Sequence, residues 1–89
     1  MVWTIKIEES AAKELKKVDK TTAQRILKFL GKRVSVLENP RTIGEPLKGP
    51  KLGNFWKYTV GDYRIICDIQ DTVLLILVLR IGHRRQVYR

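Results

Sequence analysis

The sequence predicts an α+β domain, in which a four-stranded, antiparallel-rich sheet carries a helical hairpin on one face in the order β-α-α-β-β-β. Three observations predict this class. Residues 2–7 alternate between apolar and polar, residues 9–37 repeat apolar side chains at helical spacing, and residues 55–81 hold strand-sized apolar runs separated by turn signals. With 89 residues there is room for one modest core, so residues 1–89 are predicted to form a single domain.

The N-terminal half supplies one strand and two helices. In the stretch VWTIKI, Trp3, Ile5 and Ile7 fall on one side of a half-buried strand. Residues 9–18 predict a short amphipathic helix. Thr21 and Gln24 then have the spacing of a capping box, which predicts the start of a second helix that runs to residue 37. The two helices are expected to pack together on the sheet.

The segment at residues 39–54 is an irregular connection, because it contains all three prolines of the chain together with three glycines. After it come two strands, 55–60 and 63–69, joined at Gly61-Asp62. Glycine in the first position of a two-residue loop is typical of a tight hairpin. The connection is long for a compact domain, and loops of that length are often functional.

The hairpin fixes which side chains share a face of the sheet. A two-residue loop places Val60 opposite Tyr63, Thr59 opposite Arg64 and Lys57 opposite Ile66, and opposite residues point the same way. Lys57, Thr59 and Arg64 are therefore predicted on an open, basic face. The helices are expected on the other face, which carries Trp56, Tyr58, Tyr63, Ile65 and Cys67.

The last strand, predicted at 72–81, is apolar on both faces and is therefore expected in a central position. The turn before it, at Gln70-Asp71, holds either two residues or three. This alternative leaves open which face Arg80 occupies.

The charge predicts a polyanionic partner. Eighteen Lys and Arg against nine Asp and Glu give a net charge of +9, and no acid follows Asp71. No apolar run reaches the roughly 18 residues that span a bilayer, and no secretory signal is visible, so a cytoplasmic protein without a membrane partner is expected.

The residue types favour a metal-free cationic site that needs no cofactor. Metal-dependent nucleases cluster carboxylates around Mg²⁺, whereas the acids here are scattered. RNA is cleavable without metal because its 2′-OH attacks the adjacent phosphorus, and cations stabilise the charge that develops. Arg64 lies in the middle of a strand, so it is either paired to an acid such as Asp68 or functional.

Three segments carry a resemblance to a known family: PLKG (46–49), WKYTVGDYRIICDI (56–69) and LRIGHRRQVYR (79–89). In order and spacing the chain resembles the RelE family of the RelE/ParE toxin superfamily, over essentially its whole length. The resemblance implies a type II toxin that cleaves mRNA in the ribosomal A site. It also implies inhibition by a cognate antitoxin, with operator DNA bound only through the antitoxin complex.

Site roles follow from the same resemblance. Arg64 matches an arginine that stabilises the reacting phosphate, Arg84 one that stabilises phosphate or protonates the leaving group, and Tyr88 a tyrosine that stacks on or orients a base. Lys57 matches the first of two strand lysines. Further contacts to RNA are expected from Lys48, Lys51, Arg80, Arg85 and Arg89.

Two departures from the family pattern leave the general base open. Thr59 replaces the second strand lysine, and His83 stands where the best-known members have lysine, so Lys57 and His83 are both candidates. ParE-type relatives share the fold but inhibit DNA gyrase without cutting RNA, which is the alternative function. An inactive module that only binds its antitoxin and operator DNA is a third possibility.

Overall fold

The structure is a computed structural model that describes residues 2–47 and 55–85. Five strands and two α-helices follow one another in the described residues. They are β1 (Thr4–Ile7), α1 (Glu9–Lys16), α2 (Lys20–Lys28), β2 (Glu45–Pro46), β3 (Phe55–Val60), β4 (Tyr63–Gln70) and β5 (Leu75–His83). A π-helical turn (Phe29–Val34) extends α2, and 3₁₀ turns precede β2 (Pro40–Ile43) and β5 (Asp71–Val73).

The strands form one sheet in the order β1-β5-β4-β3-β2. β1 runs parallel to β5 and the other neighbours are antiparallel. The predicted α+β class and the central position of the last strand are confirmed. The predicted strand count was one too low, because β2 has only two residues, one of them a proline, and therefore shows no alternation in the sequence.

The second helix begins and ends differently from its prediction. Its N-cap is Asp19, whose carboxylate accepts a hydrogen bond from the Thr22 N–H at 3.0 Å, so the capping box at Thr21 was wrong. These bonds from Thr22 hold the pKa of Asp19 below its usual value. The helical path stops at Val34, short of residue 37. The Ser35 N–H makes the last bond of the π-helical turn, to the Leu30 carbonyl at 3.0 Å, and the Leu37 N–H then donates to the Val34 carbonyl at 3.2 Å.

The hydrophobic core lies between the helices and one face of the sheet. Tyr58, Ile65 and Cys67 are wholly buried there, and Trp56 and Tyr63 pack against the same cluster, as the hairpin pattern predicted. The Tyr58 hydroxyl donates to the Pro40 carbonyl at 2.6 Å, which ties the connection before β2 to the core. Burial raises the pKa values of Tyr58 and of the Cys67 thiol, so Cys67 is an inert core side chain.

The β3–β4 hairpin has the register that its loop predicts. Val60 pairs with Tyr63, Thr59 with Arg64 and Lys57 with Ile66. Gly61 has a φ of +58°, a conformation that other residues adopt only at a cost. The hairpin thus sends its basic side chains to the face opposite α1 and α2.

Candidate functional site

The open face of the hairpin brings Lys57, Thr59 and Arg64 together. Thr59 and Arg64 are directly opposite each other, and alternation along β3 puts Lys57 on the same side. The Lys57 ammonium lies 3.4 Å from the Glu45 carboxylate of β2, which is itself mostly exposed. Ile66 stands directly opposite Lys57 and is almost fully buried, so it gives the basic face an apolar floor.

Arg64 has no acidic partner among the residues that the structure describes. One of its terminal nitrogens donates to the Gly61 and Tyr63 carbonyls, both at 3.3 Å. The predicted alternative partner, Asp68, accepts instead from the Gln70 side chain at 3.1 Å. Two long bonds to neutral carbonyls leave the guanidinium charge available to an anion.

The end of β5 returns to the hairpin turn and places Arg84 beside it. Gly82 pairs with Arg64, so no β5 side chain stands directly opposite that guanidinium. The Arg84 N–H then donates to the Asp62 carbonyl at 2.8 Å. Arg84 is exposed at this corner, so Arg64 and Arg84 lie near the turn end of the sheet, and Lys57 lies further along β3 on the same face as Arg64.

His83 lies on the opposite face from Arg64. It pairs with Tyr63, which packs against the core, and the two rings meet edge to face with centroids 5.8 Å apart. Its Nδ1 accepts a hydrogen bond from the Arg85 N–H at 3.2 Å, which places the hydrogen of the neutral ring on Nε2. The two candidate bases thus lie on opposite faces of the sheet, because Lys57 shares the face of Arg64 and His83 does not.

The other predicted RNA contacts are dispersed. Arg80 reaches α1, where its guanidinium lies 3.2 Å from the Glu14 carboxylate, and Arg85 is exposed at the end of the described chain. Lys48, Lys51, Tyr88 and Arg89 lie outside the described residues. Within residues 2–47 and 55–85, no group of three or more His, Cys, Asp or Glu side chains could hold a metal ion.

Sequence reasoning missed two acids that engage the basic side chains. Glu45 faces Lys57 across β2 and β3, and Glu14 holds Arg80 from α1. Glu45 was missed because it belongs to β2, a strand that the sequence pattern does not predict. Glu14 had a weak signal in the sequence. It stands four residues after Ser10, so both side chains lie on one side of α1, where they can bind the same strand.

In the described residues, no helix is long and apolar enough to cross a membrane.

Comparison with known proteins identifies the family. The sequence model described as "ParE toxin of type II toxin-antitoxin system, parDE" matches residues 5–88. The chain is 27% identical to toxin RelG of Mycobacterium tuberculosis, over 100% of this chain and 99% of that one. It is 28% identical to the mRNA interferase toxin RelE of Escherichia coli K12, over 97% of this chain and 87% of that one.

Comparison with solved structures leads to the same group of proteins. The solved RelBE2 toxin–antitoxin complex of M. tuberculosis matches with a TM-score of 0.84 at 24% identity, covering 94% of this chain and 93% of that one. Both the strand order and the two helices thus belong to a known toxin fold. The E. coli protein named "Putative RelE-like toxin protein" is 30% identical, over 97% of this chain and 87% of that one. The chain belongs to the ParE toxin family of type II toxin–antitoxin systems, and within the RelE/ParE superfamily it is a RelE-family toxin.

Proposed function

We propose that the protein is an mRNA interferase, an endoribonuclease that cleaves message in the ribosomal A site without a metal ion. The observation that carries the proposal is Arg64, a strand arginine with no acidic partner in the described chain, beside Lys57 and close to the Arg84 corner. The E. coli relative is named an mRNA interferase, which supports the same assignment.

The proposed reaction uses the 2′-OH of the substrate as its nucleophile. The 2′-oxygen forms a bond to the adjacent phosphorus while the bond from phosphorus to the 5′-oxygen breaks. The products are a 2′,3′-cyclic phosphate and a 5′-hydroxyl. Arg64 and Arg84 stabilise the charge that builds on the phosphoryl oxygens, because guanidinium groups match those oxygens in shape and charge.

Lys57 is the better placed of the two candidate bases, since it shares the face of Arg64. In this scheme the Lys57 ammonium, which is paired with Glu45 in the resting site, first releases a proton to water. The resulting amine accepts the 2′-hydroxyl proton, and Arg84 or water returns a proton to the leaving 5′-oxygen. Tyr88 stacks on a base of the message, as the family resemblance implies. His83 is then left to order the segment that carries Arg84, through its contacts with Tyr63 and Arg85.

The proposed partners follow from the charge and the family. A chain with a net charge of +9 suits ribosomal RNA and mRNA, and we expect Arg85 and Arg80 to contact the RNA backbone. A cognate antitoxin inhibits the toxin in the cytoplasm, and operator DNA is bound only through the antitoxin complex. The described site is a cluster of cations without a ready proton acceptor, so we expect efficient cleavage only when the ribosome bends the message.

The test adds purified toxin to a translating extract and maps the ends of a reporter mRNA. We expect cuts that carry 2′,3′-cyclic phosphate and 5′-hydroxyl ends, and their loss with Arg64→Ala. Arg25→Ala, which removes an exposed arginine from α2, is the matched control and should cut like the unmodified toxin. Intact mRNA in an extract whose translation has stopped would contradict the proposal.

A second candidate function is inhibition of DNA gyrase, which the ParE family match favours. It predicts that the toxin blocks supercoiling by purified gyrase while reporter mRNA stays intact. Running both assays on one preparation separates the two functions. Inhibited supercoiling without cleaved RNA assigns the ParE-like activity, and the reverse result assigns the nuclease.

A further inference from the structure

β5 loses its strand partner on one side just where it approaches the candidate site. β1 ends at Ile7, which pairs with Val78, and the Glu8 N–H makes the last backbone bond of that edge, to the Val78 carbonyl at 2.9 Å. Past Val78 the edge of β5 still carries backbone groups that need partners, because an unpaired buried group is costly.

Helix α1 supplies those partners in place of a strand. The Ser10 hydroxyl donates to the Leu79 carbonyl at 3.4 Å, and the Glu14 carboxylate accepts from the Ile81 N–H at 2.9 Å. Ser10 and Glu14 are four residues apart and so lie on one side of the helix. Ile81 is buried, so without Glu14 its N–H would lack a partner in a place with little access to water.

Glu14 also binds the guanidinium of the preceding residue. Arg80 donates through Nε and a terminal nitrogen to the same carboxylate, with both bonds at 3.2 Å. Both side chains are partly shielded from solvent, at 28% exposure for Glu14 and 43% for Arg80. One carboxylate therefore holds both the backbone of Ile81 and the side chain of Arg80.

This contact lies next to a break in the register of the sheet. Cys67 pairs with Val78 and Ile66 with Arg80, so Leu79 is an extra residue with no opposite number in β4. Pairing resumes at Arg80 and Ile81, the two residues that Glu14 holds. The resumed register is what sets Gly82 opposite Arg64 and brings the Arg84 N–H to the Asp62 carbonyl.

We propose that Glu14 is a positioning residue of the toxin: by accepting the Ile81 N–H and binding Arg80, it fixes the register of β5 beyond the Leu79 bulge and thereby places Arg84 beside Arg64. Its effect on cleavage rests on the proposed function. Its effect on the β5 register does not, and the two are measured separately.

The structural measurement is hydrogen exchange of the backbone amides of β5. Glu14→Met keeps the length and helix propensity of the side chain but has no strong acceptor. We expect the Ile81 and Arg84 amides to exchange about tenfold faster or more, while the core amides of Ile65 and Ile76 keep their protection. Glu9→Met is the matched control, because Glu9 is exposed on the same helix and its carboxylate lies 3.7 Å from the exposed Lys13 ammonium.

Two further variants separate the effect of the bond from Glu14 to the Ile81 N–H from the effect of its ion pair with Arg80. Glu14→Gln keeps an oxygen for the Ile81 N–H and loses the charge that binds Arg80, whereas Arg80→Gln leaves the Ile81 bond intact. Both should keep Ile81 protected. For cleavage per folded molecule, we expect kcat of Glu14→Met to fall about 10- to 100-fold with little change in KM, because the substrate still binds but Arg84 is misplaced. Glu14→Gln should recover much of that loss.

Each outcome decides a different point. Unchanged exchange of Ile81 and Arg84 in Glu14→Met overturns the proposal, as does a loss of cleavage that only follows the folded fraction. If the unmodified toxin cuts no mRNA, the proposed function fails while the exchange data still decide the role of Glu14. If Glu14→Met does not fold, the unmodified protein decides, since an Ile81 amide without protection overturns the proposal.

Discussion

The two faces of the sheet differ in what their side chains can do, although they alternate residue by residue along the same strands. In β4, Ile65 is wholly buried under the helices, and its neighbour Arg64 faces the open side, where it donates to two carbonyls of the described chain. The covered face contributes most to the stability of the fold, and the open face presents cationic side chains that can bind an anion. Substitutions on the two faces should therefore fail in different assays.

The largest expected loss of stability comes from the covered face, with Tyr58→Ala. Truncation leaves a cavity in the core and deprives the Pro40 carbonyl of its hydrogen bond, so we expect a loss of about 3–5 kcal/mol in the free energy of unfolding. Urea unfolding followed by circular dichroism measures it. Tyr58→Phe, which removes only the hydroxyl, should cost about 1–2 kcal/mol. A change below about 1 kcal/mol for the alanine variant would show that this ring does not anchor the core.

Arg64→Ala should produce the opposite pattern. Its two 3.3 Å bonds are weak, so the free energy of unfolding should change by less than about 1 kcal/mol. Cleavage in the translating extract should fall about 100- to 1,000-fold, the usual effect of removing a group that stabilises transition-state charge. The check is to run both assays on one preparation. An Arg64→Ala protein that is strongly destabilised would break the division between the faces.

The smallest expected effect lies at the rim of the sheet, with Asp71→Asn. Arg41 donates two hydrogen bonds to this carboxylate, at 2.6 and 3.0 Å, and they hold the pKa of Asp71 below its usual 3.8. A pKa lowered by folding means that the ion pair stabilises the protein above pH 3.8 and that this contribution is lost as the pH falls through the lower value.

The difference in stability between the unmodified protein and Asp71→Asn should accordingly be present at neutral pH and vanish in strong acid. Urea unfolding over that range measures it, and Glu38→Gln, which alters another exposed carboxylate, serves as the control. A difference that grows as the pH falls would reverse the sign and contradict the assignment. The effect should also shrink in high salt, because both groups are near the surface.

Local rules in the sequence were enough to predict the hairpin. Gly61 permits a two-residue turn, the turn sets the register, and the register puts Lys57 and Arg64 on one face. The bulge at Leu79 could not be found in this way, because it depends on where β1 ends and on what α1 offers to β5. For the same reason the face of His83 was not predictable, since that requires the register after the bulge.

The remaining errors had two causes, an ambiguous local pattern and contacts between distant segments. Asp19 and Thr21 are both good caps, and the local pattern does not choose between them. β2 exists only because β3 offers it an edge, and Glu45 meets Lys57 only through that pairing. The candidate site could thus be predicted as a set of cations, but the acids that accompany them could not.

The parallel pairing of β1 with β5 affects when the protein can fold during its synthesis on the ribosome. Thr4 pairs with Leu75, so β1 cannot pair until β5, about 70 residues later in the chain, has been synthesised. Contacts so distant in sequence slow folding, and the sheet cannot close until the final strand has left the exit tunnel. Since Arg84 follows that strand, a growing chain has no assembled cationic corner. A cell that makes this toxin is therefore exposed to the assembled corner only after β5 and Arg84 have emerged from the ribosome.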